Sequence, residues 1–188
     1  MMKIYLLDKN RRMCQAWKNF FTNEEDIEIV NMDFALFMEL YSVDCIVSPA
    51  NAYGLMDGGY DLAITKYAGK ALMKRVQGKI INDFYGEQIV GTSIIVDIEG
   101  TNKKLIHTPT MRYPEKIIDE RIVYQCMRST LICAMKNNIK SIVIPAFGGF
   151  TGGVNENRLA ELMYLAYKQI KTAPVSLNWE YAIDWKNI

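Results

Sequence analysis

The chain has 188 residues, half of them hydrophobic and 23% charged, the balance of a folded globular protein, which excludes disordered, collagen-like and coiled-coil classes. Its 22 Lys and Arg against 21 Asp and Glu leave a formal charge of +1, too little to drive generic binding to nucleic acid or an anionic membrane, so an anionic ligand has to be held by local geometry. The single histidine, His107, rules out multi-histidine zinc sites, and Cys14, Cys45, Cys126 and Cys133 lack C-x-x-C spacing and read as reduced packing residues.

The opening MMKIYLLDKNRR is too short in apolar character for a secretory core, and charges interrupt every later run before a membrane span is reached. A cytoplasmic protein is expected. No linker composition and no fixed-period repeat divides the sequence, so residues 1–188 are expected to form one domain, acting as a monomer. In chain order, apolar runs predict strands at Lys3–Leu7, Ile27–Asn31, Asp44–Ser48, Ile89–Asp97, Lys104–Thr108 and Ser141–Pro145. FALFMEL after Asp33 predicts a short helix, and another is expected to begin near Asp61. The periodicity predicts a long helix over Ile117–Asn137, with Ile118, Ile122, Cys126, Ser129 and Cys133 on its inner face. A further helix spans Asn157–Lys171, with Leu159, Leu162, Met163, Ala166 and Ile170 facing in. Strands alternating with helices, several apolar on both faces, indicate a mixed or largely parallel sheet covered on each side: a three-layer α/β domain.

In such folds ligands sit beyond the carboxyl ends of the strands. Two glycine-rich segments lie at such ends, PANAYGLMDGGYD after Ser48 and AFGGFTGGV after Pro145. Glycine lets backbone N–H groups turn outward toward a phosphate with no Cβ in the way. Neither segment carries the P-loop or the Rossmann fingerprint, which disfavours both classes. Two such loops in one small domain suggest a diphosphate clamped between them.

These residues resemble the macro domain family, whose members bind ADP-ribose. VDCIVSPANAYGLMDGGYDLAI stands where the family's V-D-x-I-V-N-x-A-N, glycine-rich turn and G-V-D stand. Asn51 and Asp61 lie ten positions apart, as in the family's hydrolase branch. VNMDF resembles the G-D-I element, LIHTPT the strand written I-H-x-x-G-P, and IPAFGGFTGGV the second phosphate loop. SPANxxGxMDGGxD together with TPTMR is similar to a bacterial and bacteriophage subgroup. The resemblance, over roughly residues 27 to 171, implies a three-layer α/β/α macro domain with a mixed central sheet, and ADP-ribose or an ADP-ribosylated protein as partner. It implies no cofactor and no metal. It places Asp33 on the adenine amino group and Phe34 beside the ring. Ligand contacts are implied for Ser48, Ala50, Asn51, Gly58, Gly59 and Tyr60, and in the second loop for Gly148, Gly149, Phe150, Thr151 and Gly152. Asn51 and Asp61 are the implied catalytic pair. Three departures stand out. Ser48 replaces an Asn, Phe150 a glycine of the diphosphate loop, and Gly152 the aromatic that packs on the distal ribose, a ring that Phe150 supplies if it sits in a shifted position.

Each residue also has a plainer reading. Asn51 suits an Asx-type brace of its own loop, Asp33 an N-cap, and Gly58 and Gly59 a tight turn before a helix whose N-terminus is also an anion site. Asp61 is either a first-turn carboxylate favoured by the helix dipole or a water-activating base whose pKa burial has lifted. His107, between Ile106 and Thr108, reads as a hydrogen-bonded core residue. Cys126 and Cys133 read as core, and Trp179, Tyr181 and Trp185 as closing the sheet or covering its edge. Two functions follow from different classes: hydrolysis of an ADP-ribosylated carboxylate or ADP-ribose 1″-phosphate, or capture of ADP-ribose or a related NAD-derived nucleotide without turnover.

Overall fold

The structure is a computed structural model describing residues 2–186 and 188. A six-stranded sheet runs in the order β2-β1-β6-β3-β5-β4, formed by β1 (Lys3–Leu7), β2 (Ile27–Val30), β3 (Cys45–Ser48), β4 (Ile94–Asp97), β5 (Lys104–His107) and β6 (Ser141–Pro145). All neighbours are parallel except β4, which pairs antiparallel with β5 at one edge. On one face α1 (Arg11–Phe20), α5 (Arg121–Lys136) and α6 (Glu156–Lys171) bury Trp17, Met127 and Met163 against Leu6, Val47 and Ile144. On the other, α2 (Phe34–Leu40), α3 (Gly59–Ala68) and α4 (Lys70–Phe84) bury Phe37, Ile64 and Val76 against Leu7, Ile46 and Val143. Consecutive residues such as Ile46 and Val47 feed opposite cores because side chains alternate along a strand. This is the expected three-layer α/β/α architecture with a mixed sheet.

Local sequence sets the helix starts. The Asn10 side chain accepts the Arg12 N–H at 2.9 Å, and Asn155 accepts from Asn157 and Arg158 at the head of α6, so each cap satisfies N–H groups that have no intrahelical partner. Glu156 in the first turn of α6 and Lys168 and Lys171 in its last match the helix dipole. Among the described residues no helix is long and apolar enough to cross a membrane.

Three expectations need correction. The strand expected over Ile89–Asp97 is confined to Ile94–Asp97. Residues 89–92 turn instead, with Thr92 N–H bonded to the Ile89 carbonyl and Gly91 at φ 83° bonded to Pro109. The helix expected from Ile117 begins at Arg121, because the Ile117 N–H is drawn to the Gly152 carbonyl and Asp119 receives the Arg121 N–H. Its inward stripe is Val123, Cys126, Met127, Thr130, Leu131 and Ala134, while Ile118 is exposed. The helical period was legible but its phase was not, since apolar residues stand on two adjoining stripes. Finally, α7 (Trp179–Asp184), whose aromatics were expected to close the sheet or cover its edge, buries none of its own residues. Tyr181 and Trp185 border a shallow cavity with Leu165 and Thr172 at the end of α6, and Trp179 is exposed.

Candidate nucleotide site at the carboxyl edge of the sheet

Because β3 and β6 are neighbours, the loops that follow them stand side by side. The first loop is built as an extension of the sheet. Thr108 N–H bonds to Ser48, Thr110 N–H to Ala50, and Ala52 N–H to Met111, so the PANA backbone is zipped to the TPTM segment beyond β5. Tyr53 donates its hydroxyl to Glu87 at 3.0 Å, and Arg112 grips the same carboxylate with two bonds of 2.6 and 2.9 Å. Gly54 is at φ 64°, and a Cβ there would lie 2.9 Å from the Ile80 side chain, so both backbone and space demand glycine.

Asn51 is buried and turned onto its own loop: its Oδ1 accepts from Tyr53 and Leu55 N–H at 3.1 and 3.2 Å, and its Nδ2 donates to the Leu55 carbonyl at 2.9 Å. These are the bracing bonds of the plainer reading. They fill both acceptor sites of the amide and leave one N–H. Directly after Met56 and Asp57 the chain enters α3, with Gly58 as N-cap, Gly59 at φ 52° and no side-chain cap. The first turn therefore presents the positive end of a helix dipole beside the loop.

Asp61 sits in that first turn. Its Oδ1 accepts the Ser48 hydroxyl at 2.6 Å, tying α3 to the end of β3. Ser48 is fully buried. Burial pushes the Asp61 carboxyl up to about 7, against the opposing pull of the Ser48 bond. Its neighbour Tyr60 sets its ring edge-on to Phe34, with centroids 5.2 Å apart. The Tyr60 hydroxyl is buried without a hydrogen-bond partner among the described residues. Burial, and then the charges of Asp61 and Asp8, hold this phenol well above its usual range.

The second loop folds tightly on itself. Gly148 takes φ 76°, Val154 N–H closes onto its carbonyl at 3.2 Å, and the Gly152 carbonyl receives Ile117 N–H at 2.9 Å. A Cβ on Gly152 would lie 2.6 Å from both the Gly148 oxygen and the Ile117 Cδ1. No aromatic fits at this position in this loop. Gly149 lies beneath the tip, Thr151 is exposed, and Phe150 projects into solvent at 93% exposure.

Beyond β2, exposed Asp33 caps α2 by accepting Leu36 N–H at 3.0 Å, while Phe34 is buried between Tyr60 and Tyr67. The structure thus places the residues singled out from the sequence along one edge, from Asp33 and Phe34 at β2 to Asn51 and Asp61 beside β3. Sequence reading missed Asp8. It follows β1, between β2 and β6, its Oδ1 accepts Asn10 N–H at 2.7 Å, and burial holds its carboxyl above the usual range. The signal was available, since an acid directly after a strand obeys the same end-of-strand rule. His107 is fully buried with Nδ1 on Gln88 at 2.8 Å, and burial depresses its pKa to about 3, so it is a neutral core residue. Among the described residues no cluster of three His, Cys, Asp or Glu could hold a metal ion. A cavity of about 730 Å³ between residues 89–93 and the outer side of α5 includes none of the site residues.

Known proteins resemble this chain in sequence and in fold. An uncharacterised protein of Aquifex aeolicus is 32% identical over 120 residues, covering 64% of this chain and 70% of that protein. An O-acetyl-ADP-ribose deacetylase of Salmonella gallinarum is 34% identical over 124 residues, covering 64% and 68%. Among solved structures, the Oceanobacillus iheyensis macrodomain with ADP superposes with a TM-score of 0.59 at 26% identity, over 68% of each chain. The macrodomain of Mycobacterium tuberculosis DarG shares the fold at 18% identity, with a TM-score of 0.59 over 69% of this chain and 84% of that one. The Macro domain model matches residues 47–163, a span holding both loops, Ser48, Asn51 and Asp61, and by that match the chain belongs to the macro domain family.

Proposed function

We propose that the protein binds ADP-ribose and hydrolyses an ADP-ribosyl derivative at its distal ribose. Adenine lies toward Asp33 and Phe34, the diphosphate between the N-terminus of α3 and the loop 148–152, and the distal ribose beside Asn51 and Asp61. One observation carries the catalytic part: Asp61, fixed by Ser48 at 2.6 Å, has its carboxyl raised to about 7. A carboxylate of that basicity takes a proton from water near neutral pH, the condition for general-base catalysis. As the water oxygen bonds to the ester carbon or phosphorus on the distal ribose, its proton passes to Asp61. The bond from that centre to the departing oxygen breaks, and the proton returns to the leaving group. The deacetylase named among the relatives supports an acyl ester, and an ADP-ribosylated carboxylate side chain, being an ester too, makes the same demand on the base.

A second reading, capture without turnover, is favoured by a specific observation: both acceptor sites of Asn51 are spent within its own loop and Phe150 stands away from it. Calorimetry with ADP-ribose separates family-level binding from its absence, with a micromolar Kd, roughly −8 kcal/mol, expected. Release of ADP-ribose from glutamate-linked protein, and of phosphate from ADP-ribose 1″-phosphate, then decides catalysis. Binding with zero turnover on both substrates at stoichiometric protein leaves the capture reading alone.

A further inference from the structure

Tyr60 stands where the family pattern places an aliphatic residue, and its hydroxyl is a group that no other described residue answers. The phenol is buried and unpartnered among the described residues, whereas Ser48, Asn51 and Asp61 around it are all engaged. Its ring rests edge-on against Phe34, so the side chain reaches from α3 toward the β2 end of the cleft. The Phe34 contact sets the ring by the end of β2, and the neighbouring strand β1 ends at Asp8. Asp8 comes from the end of β1, between the β2 and β6 loops, and its Oδ1 is fixed by the Asn10 N–H. This strand lies outside the family match at residues 47–163. A donor lacking an acceptor thus stands near a carboxylate that burial has cost part of its solvation. One ligand group answers both needs, because a hydroxyl accepts from one neighbour while donating to another.

We propose that Tyr60 and Asp8 together recognise the hydroxyls of the adenosine ribose, Tyr60 donating to one oxygen of the vicinal diol and Asp8 accepting from its partner. Position selects this ribose rather than the distal one. The pair lies between the Phe34 end of the cleft and the diphosphate loops, while the distal sugar belongs beside Asn51 and Asp61. The inference rests on the ADP-ribose reading and adds to it a preference for ribo- over deoxyribonucleotides.

The test is calorimetry with ADP, 2′-deoxy-ADP and 3′-deoxy-ADP on the intact protein and on Tyr60→Phe and Asp8→Asn, with ADP-ribose as reference ligand. The intact protein is expected to bind ADP about tenfold more tightly than at least one deoxy analogue, a usual consequence of leaving buried polar groups unpaired. In Tyr60→Phe that preference should shrink to about threefold or less, through weaker ADP binding and not stronger binding of the analogue. Asp8→Asn should shrink it likewise. Tyr60→Phe loses only a hydroxyl that makes no bond among the described residues, so its melting temperature should not fall, which separates a folding defect from lost recognition. Equal affinity of the intact protein for all three nucleotides would overturn the proposal, as would a preference that survives unchanged in Tyr60→Phe. Failure to bind ADP-ribose itself would overturn the parent reading, and this one with it.

Discussion

At the residue scale, Asp61 carries two opposed consequences. Its carboxyl titrates at about 7 in the fold against an ordinary value of 3.8, so the folded state binds the extra proton. Stability therefore falls as pH rises between those two values and is flat above about 7. If Asp61 is the base, turnover moves the other way and climbs through the same window. Asp61→Asn keeps the hydrogen bond from Ser48 and removes the charge. It should melt higher than the parent at pH 7.5, show a flatter dependence of melting temperature on pH, and bind ADP-ribose within about threefold of the parent, yet turn over slower by on the order of a hundredfold. Unaltered turnover would reduce Asp61 to a first-turn carboxylate. The ten-residue spacing of Asn51 and Asp61 was legible in the sequence. The bond from Ser48 was not, because it joins a strand end to a helix that only the tertiary fold brings together, and Ser48 read as a shortened polar side chain is in fact what holds the carboxylate.

At the scale of elements, the second loop shows how two neighbouring substitutions divide their work. Gly152 is wedged against the Gly148 carbonyl and Ile117, and its own carbonyl anchors the segment leading into α5. Gly152→Ala should therefore cost about 1–3 kcal/mol through forced displacement, lowering the melting temperature by roughly 2–4 °C per kcal/mol for a chain of this size. Phe150→Gly should leave the melting temperature unchanged, since the ring is exposed. If the ring swings onto the bound sugar, the same variant loses about three- to tenfold in ADP-ribose affinity, the worth of one aromatic contact. Equal affinity would show that it stays outside. Elements with a strong apolar period were legible before the structure: β1, β3, β6 and the inner face of α6 stand within a residue or so of expectation. Those decided by competition for backbone groups were not. Residues 89–92 carry strand-like side chains, but the Gly91 N–H serves Pro109, and Ile117 is drawn from the helix it was expected to start by Gly152.

At the scale of the molecule, the unit β1–α1–β2 lies outside the family match, yet it is sewn into both cores. Ile4 and Leu6 join the α5 and α6 side, Leu7 and Val30 the side of α2 to α4. Both faces of one sheet are thereby shared between the matched segment and what precedes it, so unfolding should be a single cooperative transition with no early loss of the N-terminal unit. The proposed site draws on the ends of β1, β2, β3 and β6, which lie in one sheet, so a ligand bound there would bridge segments that separate only when the sheet does, and its binding energy would enter the stability of the whole. ADP-ribose at about a hundredfold above its Kd should add roughly 2.7 kcal/mol, or about 5–11 °C in melting temperature for a domain near this size. Calorimetric scanning at several ligand concentrations checks both points. The transition should stay single and move upward with the logarithm of ADP-ribose concentration. Two transitions, only one of them moved by ligand, would divorce the N-terminal unit from the site, and a transition that no concentration moves would remove ADP-ribose as the ligand.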